Sequence, residues 1–122
     1  KIIKKNLKKK NLYISKKLSK IDNLYFNKEM GKTWITSKIF LLSKTKYFKQ
    51  LKKEFKKKNI RIFKPWSERP MHEERIFKKY KKMDLKNTRT IKDKGFAIPF
   101  YIDQSFKEIN IMMKKLNKVL SK

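Results

Sequence analysis

The chain has 122 residues, with 37 Lys or Arg against 10 Asp or Glu, and its formal net charge is +27. It contains no cysteine and a single histidine, His72, which excludes disulfides, thiolate zinc sites, cysteine nucleophiles and paired-histidine metal sites. This much uncompensated positive charge on a chain of single-domain size predicts a polyanionic partner. We expect no cofactor, no bound metal and no small-molecule substrate.

Residues 1–30 form a basic N-terminal extension, in which lysines far outnumber the two acidic residues, Asp22 and Glu29. Apolar side chains are scattered among the lysines of residues 1–20 without a regular period. Such a segment is typical of a tail that is disordered alone and orders on an anionic surface. The alternative is a solvated tail that contacts nothing. The chain does not begin with Met, so we expect an upstream piece, such as a targeting segment, to be missing.

Residues 31–59 contain the first predicted helix region. Apolar residues recur there at helical spacing and predict one buried helix face; they are Ile39, Leu42, Phe48, Leu51 and Phe55. Ser43 as an internal N-cap would divide a short turn over residues 37–42 from a longer helix over residues 44–59.

A dense group of lysines ends this predicted helix: Lys52, Lys53, Lys56, Lys57 and Lys58. These are more cations than the helix dipole can accommodate, and they would repel one another in water. We interpret them as a ridge that contacts phosphates, with a solvated helix end as the alternative.

Residues 60–104 are predicted to be an insertion with a short helix and an extended arm. Pro65 and Pro70 end the preceding helix, and a short helix from residue 67 or 68 to residue 82 follows. A polar loop then leads to an apolar stretch over residues 96–102. Because Pro99 is incompatible with an interior strand, this stretch is interpreted as an extended arm lying on a partner or on the protein's own helices.

Residues 105–122 form the clearest predicted helix. Ser105 and Glu108 have the spacing of a capping box. An apolar stripe follows at three- and four-residue steps: Ile109, Met112, Met113, Leu116, Val119 and Leu120. Two amphipathic helices joined by a long connection predict an all-α fold, in which an antiparallel two-helix hairpin carries a basic N-terminal extension and an irregular insertion.

Two segments carry a family resemblance. Residues 31–59 open with Gly31, Lys32, Thr33 and Trp34, and continue with Ile39, Ser43, Tyr47, Leu51, Phe55, Lys56, Lys58 and Asn59. The last predicted helix adds Ile109, Met113, Lys115, Leu116, Val119 and Leu120. In this order and without gaps, the two segments resemble the mitochondrial form of universal large-subunit ribosomal protein twenty-nine, also known as mitochondrial large-subunit protein forty-seven. The sequence departs from the family pattern at Phe40, Leu42, Gln50, Asn110, Ile111 and Asn117.

The resemblance implies a structural constituent of the large subunit of a mitochondrial ribosome. It implies a helical hairpin on the large-subunit rRNA near the exit of the polypeptide tunnel, beside neighbouring ribosomal proteins, without catalysis and with a location in the mitochondrion. Several departures replace basic residues of the family, which puts individual RNA contacts in doubt.

The candidate RNA-binding residues are basic and fall in three groups. The first surrounds the first predicted helix: Lys32, Lys44, Lys52, Lys53, Lys56, Lys57, Lys58 and Arg61. The second lies on the last helix: Lys114, Lys115 and Lys118. The third lies in the N-terminal extension: Lys4, Lys5, Lys8, Lys9 and Lys10. Trp34 is a candidate for stacking on a base, with packing on its own hairpin as the alternative.

Three other classes of function are alternatives to this interpretation. A DNA-coating protein of an organellar nucleoid would use the same charge, although no helix-turn-helix pattern is present. A protein bound to a membrane surface by a polybasic anchor would need a wide apolar helix face, which residues 1–20 lack. No apolar run approaches the roughly 20 residues of a membrane span. No nucleophile–base or carboxylate pair can be placed, so we expect no enzymatic activity.

Overall fold

The structure, a computed structural model, describes residues 1–65, 70–80 and 85–121. In chain order its elements are α1 (Ile2–Leu18), β1 (Leu24–Phe26), β2 (Lys38–Ser43), α2 (Phe48–Lys56), two 3-10 segments (Met71–Glu73 and Arg75–Tyr80), α3 (Lys86–Lys94), β3 (Gly95–Pro99) and α4 (Phe106–Leu120). The described residues therefore combine four α-helices with a three-stranded antiparallel sheet. The prediction of an all-α two-helix hairpin is wrong.

The sheet has the order β1-β2-β3, with β2 in the centre. Residues 37–42 were predicted to form a helical turn, but in β2 Ile39, Leu41 and Ser43 are buried while Lys38 and Phe40 are exposed. This alternation is the period of a strand with one face on the core. Ile39 and Leu42 are also three residues apart, which is the spacing of residues on one face of a helix. The sequence pattern alone therefore predicted a helical turn here.

The predicted apolar arm over residues 96–102 is extended over residues 96–99, which belong to β3 of the protein's own sheet, whereas Ile102 lies in a turn. Phe96, Ala97 and Ile98 are buried in β3, and Ile98 pairs with Ile39 of β2. Pro99 is the last residue of this strand, opposite Lys38. A proline at a strand end removes no interior ladder hydrogen bond, so it is compatible with the sheet.

The last predicted helix is confirmed as α4, and all six residues of its predicted stripe are buried. Helix α2 is shorter than the predicted range of residues 44–59 and begins after Tyr47. Ser43 does not cap α2, because its hydroxyl accepts hydrogen bonds from the backbone N–H groups of Thr45 and Lys46 in the turn before the helix. Phe55 of α2 packs on Phe96 of β3 with ring centroids 5.7 Å apart, so α2 covers the inner face of the sheet.

The N-terminal extension contains a 17-residue helix instead of the expected disordered tail. Ile14 and Leu18 of α1 belong to the common core. Asn11 is also buried, and its side chain donates to the carbonyl oxygen of Thr36 at 3.0 Å and accepts from the Thr36 N–H at 2.8 Å. This amide clamp and the apolar face tie α1 to the chain segment before β2.

The backbone of α1 passes so close to position 31 that only glycine fits there. The φ of Gly31 is +85°, and a Cβ atom there would lie 2.4 Å from the backbone nitrogen of Leu12. Any other residue would combine an unfavourable left-handed conformation with a backbone clash.

The predicted insertion is structured differently from the expectation. Two 3-10 segments occupy part of the predicted short helix, whose proposed ends at residues 67–68 and 82 lie outside the described residues. The predicted polar loop contains α3, none of whose residues is buried. Glu73 of the first 3-10 segment forms an ion pair with Lys92 of α3 at 2.6 Å, so an ionic contact holds this helix to the segment before it.

The capping box of α4 predicts a pH dependence of folding stability. Hydrogen bonds from the backbone N–H and the hydroxyl group of Ser105 hold the pKa of the Glu108 carboxyl below its usual value. Because the pKa is lower in the folded chain, the stabilisation is complete above the unfolded pKa and is lost as the pH falls through the lowered folded value. We expect the urea midpoint of the wild type to fall more across this acidic range than that of Glu108→Gln, whose amide suits the capping box but does not titrate. Urea titrations at a series of pH values test this, and parallel profiles for the two proteins would contradict it.

Candidate nucleic-acid interface

The main candidate site is a groove between α2 and the extended chain that follows it, which we call the basic groove. Helix α2 ends at Lys56, and Asn59, which has a positive φ of 57°, then turns the chain back along the helix. Residues 60–64 then run beside α2 and enclose a volume of about 640 Å³. The described residues lining this volume are Phe48, Lys52, Lys56, Asn59, Ile60, Arg61, Ile62, Phe63 and Lys64. Three predicted residues, Lys52, Lys56 and Arg61, are therefore brought to one concave surface.

The five lysines of the predicted ridge are all exposed. Glu54, the acidic residue among them, is half-buried and turned away, because its carboxylate lies 2.6 Å from the Lys46 ammonium group. That ammonium group also donates to the carbonyl oxygen of Val119 at 2.5 Å, so this ion pair joins α2 to α4. Within the described ranges, no carboxylate pairs with Lys52, Lys53, Lys56, Lys57 or Lys58. The positive charge of the ridge is therefore directed to solvent.

Aromatic rings and cations alternate around the basic groove. The Arg61 guanidinium lies 5.0 Å from the centroid of Phe63, and the Lys64 ammonium lies 4.5 Å from the centroid of Phe48. These cation–π contacts hold the long side chains against the groove wall. Lys64, Phe48 and Phe63 were not predicted as site residues. The alternation of Ile60, Arg61 and Ile62 was the available signal, since a half-buried strand-like segment places its apolar residues inside and the basic residue between them outside.

The predicted basic residues of α4 have different environments. Lys114 and Lys118 are exposed, whereas Lys115 donates to the carbonyl oxygen of Lys58 at 2.9 Å. Lys115 thus satisfies a carbonyl group at the end of α2, which is a structural contact. Lys114 lies instead across a shallow groove from Lys17 and Lys20 of the N-terminal region.

The predicted lysines of the N-terminal extension form a second exposed basic surface on the first turns of α1. Lys4, Lys5, Lys8 and Lys9 are exposed. Lys10 is half-buried and donates to the carbonyl oxygen of Ile102, so it ties α1 to the chain before α4. The first four lysines remain candidates for phosphate contacts, and Lys10 has a structural contact.

The remaining predicted residues lie apart from the basic groove. Lys32 is exposed and pairs with Glu29 at 3.8 Å. Lys44 lies over the ring of Tyr25, 4.7 Å from its centroid. Trp34 is exposed, and its backbone carbonyl accepts from the Gly31 N–H at 2.6 Å. Trp34 is thus about half exposed, and it is not among the residues that line the basic groove.

The described part of the chain shows neither a metal-ligand cluster nor a membrane-spanning helix. No group of three His, Cys, Asp or Glu residues there is arranged to hold a metal ion. None of the described helices is long and apolar enough to cross a membrane.

Comparisons with known proteins add no relative. No protein-family model matches the chain, and no curated protein matches it. The similarity of residues 31–59 and of the last helix to the ribosomal family stays a prediction. Part of the first segment forms β2 and not the helix that the resemblance implied.

Proposed function

We propose that this protein binds RNA through phosphate contacts, without reading base sequence, and acts as a structural component of a ribonucleoprotein. The observation that carries the proposal is the basic groove with its flanking ridge, where exposed lysines on α2 lie beside Arg61 and have no acidic neighbour among the described lining residues. Lysine ammonium groups bind phosphates as point charges and carry no base code unless they are placed in a groove of the nucleic acid.

The overall charge favours a polyanion over other partners. A net charge of +27 strongly repels itself in a free chain and is reduced by counter-charge from phosphates. In the described part of the chain, Glu29, Glu54 and Glu73 pair with Lys32, Lys46 and Lys92, none of which belongs to the ridge. The intramolecular ion pairs therefore stabilise the fold and leave the ridge available.

The proposed setting is the large subunit of a mitochondrial ribosome, near the polypeptide exit. The residue matches in residues 31–59 and in α4 support this setting. The hairpin is not part of the proposal, because the fold has a sheet in its place. A DNA-coating role in an organellar nucleoid is the alternative, and it would use the same basic groove.

Sedimentation of the tagged protein from a lysate of the cells that produce it tests the setting. We expect the protein to remain with the large ribosomal subunit after a high-salt wash, to be released by ribonuclease, and to be unaffected by deoxyribonuclease. The control is the variant in which Lys52, Lys53, Lys56, Lys57 and Lys58 are Gln, which we expect to leave the subunit fraction. Release by deoxyribonuclease with no ribosomal association would contradict the proposal and favour the nucleoid alternative.

A further inference from the structure

A second groove lies on the outer face of the sheet, and we call it the aromatic groove. It encloses about 620 Å³, a volume in the range of pockets that accept small planar ligands. Three of its aromatic residues are substantially exposed: Phe40 by 45%, Phe63 by 40% and Tyr101 by 62%. Large aromatic side chains grouped on one exposed face are unusual unless the face has a ligand.

The sheet register explains why these rings share a face. Phe40 is directly opposite Ala97 in the β2–β3 pair, and Ala97 is opposite Phe63 in an isolated bridge. The bridge is a closely hydrogen-bonded pair, with N–O distances of 2.7 and 2.9 Å between Ala97 and Phe63. Directly paired residues point to the same side of a sheet, so the small Ala97 lies between Phe40 and Phe63, whose backbones are two strand spacings, or about 10 Å, apart. The result is a recess with a small-residue floor and aromatic walls.

The rim of the aromatic groove is cationic. Lys38 and Lys64 line it, and Arg61 lies against the Phe63 ring. None of its described lining residues is acidic. The aromatic groove also shares Phe63 and Lys64 with the basic groove, so the two grooves adjoin at these residues. A ligand that crosses this junction meets phosphate-binding cations first and aromatic faces next.

We propose that the aromatic groove binds unpaired bases of single-stranded RNA, whose backbone phosphates contact the adjoining basic groove. This inference rests on the proposed function and adds to it the kind of RNA that is bound. Stacking on aromatic side chains beside a positively charged track is how single strands are held without base-specific hydrogen bonds. Bases within a duplex are stacked on each other and cannot enter such a recess.

Charge complementarity distinguishes this occupant from two others. A second copy of the chain would bring another strongly basic surface to the Lys38–Arg61–Lys64 rim, and like charges would oppose the contact. An apolar protein segment would fill the recess but would bring no counter-charge to Lys38 and Arg61. A single-stranded nucleic acid satisfies both the rings and the cations.

The decisive measurement compares two oligomers of equal charge on the wild-type protein. Fluorescence anisotropy is used to measure the affinity for a labelled ten-nucleotide oligouridylate and for a ten-unit abasic ribose-phosphate oligomer. We expect the base-containing oligomer to bind roughly 5- to 100-fold more tightly, which is the range for stacking one base. A duplex of the same length should not share this advantage at matched salt.

Conservative variants then assign the stacking to the aromatic groove. Phe40→Leu and Phe63→Leu keep an apolar side chain but remove the ring, and we expect each to lose most of the preference for the base-containing oligomer. For Phe40→Leu, affinity for the abasic oligomer and its salt dependence should be unchanged, because Phe40 lines the aromatic groove and not the basic groove. Trp34→Leu is the matched control, because Trp34 is also an exposed aromatic residue, by 53%, but lines neither groove. Thermal melts establish that the variants fold like the wild type.

The outcomes separate the two proposals. Equal affinity for both oligomers, or an equal loss in Trp34→Leu and the groove variants, would overturn the stacking proposal while leaving phosphate binding intact. A dimer in sedimentation velocity that Phe40→Leu abolishes would overturn it in favour of self-association. Absence of salt-dependent binding to either oligomer would instead refute the proposed function itself.

Discussion

Replacing Leu116 by Asp is expected to abolish the folded state of the protein. Leu116 is 0% exposed and lies in the middle of the α4 stripe, within the common core. Removing a buried leucine side chain costs about 2–5 kcal/mol, and an unpaired buried carboxylate adds several kcal/mol. Small domains have only about 5–15 kcal/mol of folding stability. Far-UV circular dichroism and a urea titration should show loss of helix and of the cooperative transition.

A matched control lies on the same helix. Ile111 is 46% exposed, so Ile111→Asp introduces the same charge without burying it. We expect this variant to change stability by less than about 1 kcal/mol, as is usual for surface substitutions. If Leu116→Asp melted like the wild type, the placement of the α4 stripe in the core would be incorrect.

The second large effect concerns the salt dependence of RNA binding. With about six to ten phosphates neutralised, affinity for RNA should fall on the order of a thousandfold or more between about 50 and 200 mM salt. Replacing the five ridge lysines, Lys52, Lys53, Lys56, Lys57 and Lys58, by Gln should weaken binding and also flatten this slope. Each lost phosphate contact reduces the slope of log affinity against log salt by about 0.7 to 0.9, because fewer counterions are released.

The chain provides a control with the same change in net charge. Lys1, Lys4, Lys5, Lys8 and Lys9 are exposed on or next to the first turns of α1, away from the basic groove. Their replacement by Gln lowers the net charge equally, but we expect a smaller change in slope. Titrations of both variants on large-subunit rRNA across a salt series test the ranking. An unchanged slope for the ridge variant would refute the phosphate-ridge assignment, and a larger loss from the α1 variant would place the docking face on α1.

Local signals predicted α4 correctly because they did not depend on the rest of the chain. The Ser105–Glu108 capping box forms as its spacing indicates, with the Glu108 N–H donating to the Ser105 hydroxyl at 3.2 Å. The apolar stripe that follows has only one period, 3.6 residues, over four turns. A helix of this length with both a start signal and a single period leaves little ambiguity.

The sheet could not be predicted because its strands are short and their pairing is distant in sequence. β2 has six residues, and its apolar positions fit a three-residue step as well as a two-residue step. These residues form a strand because they pair with Gly95–Pro99, which lies more than fifty positions further along the chain. Pro99 is incompatible with the interior of a strand but not with its last position. The sequence alone does not show that Pro99 occupies that last position, so on sequence grounds it argues against a strand.

Helix α1 was missed for a related reason. Its lysines hide a weak apolar pattern, and Ile14 and Leu18 become buried only because α4 and the chain around Thr36 supply surfaces for them. On its own, a lysine-rich segment of this kind would bury too little apolar area to form a stable helix. Tertiary contacts therefore converted a predicted tail into a structural helix.

The sequence by itself determined the net charge of +27, the absence of cysteine chemistry, the α4 helix with its cap, and the ridge of lysines at the end of α2. These properties follow from composition or from contacts within a few residues. Only the tertiary structure decided that the chain from Arg61 to Lys64 returns along α2, and that Phe40 and Phe63 flank Ala97 on one face. Both arrangements depend on strand pairing between residues far apart in the chain, and the free energy of that pairing comes from a common core that no single segment contains.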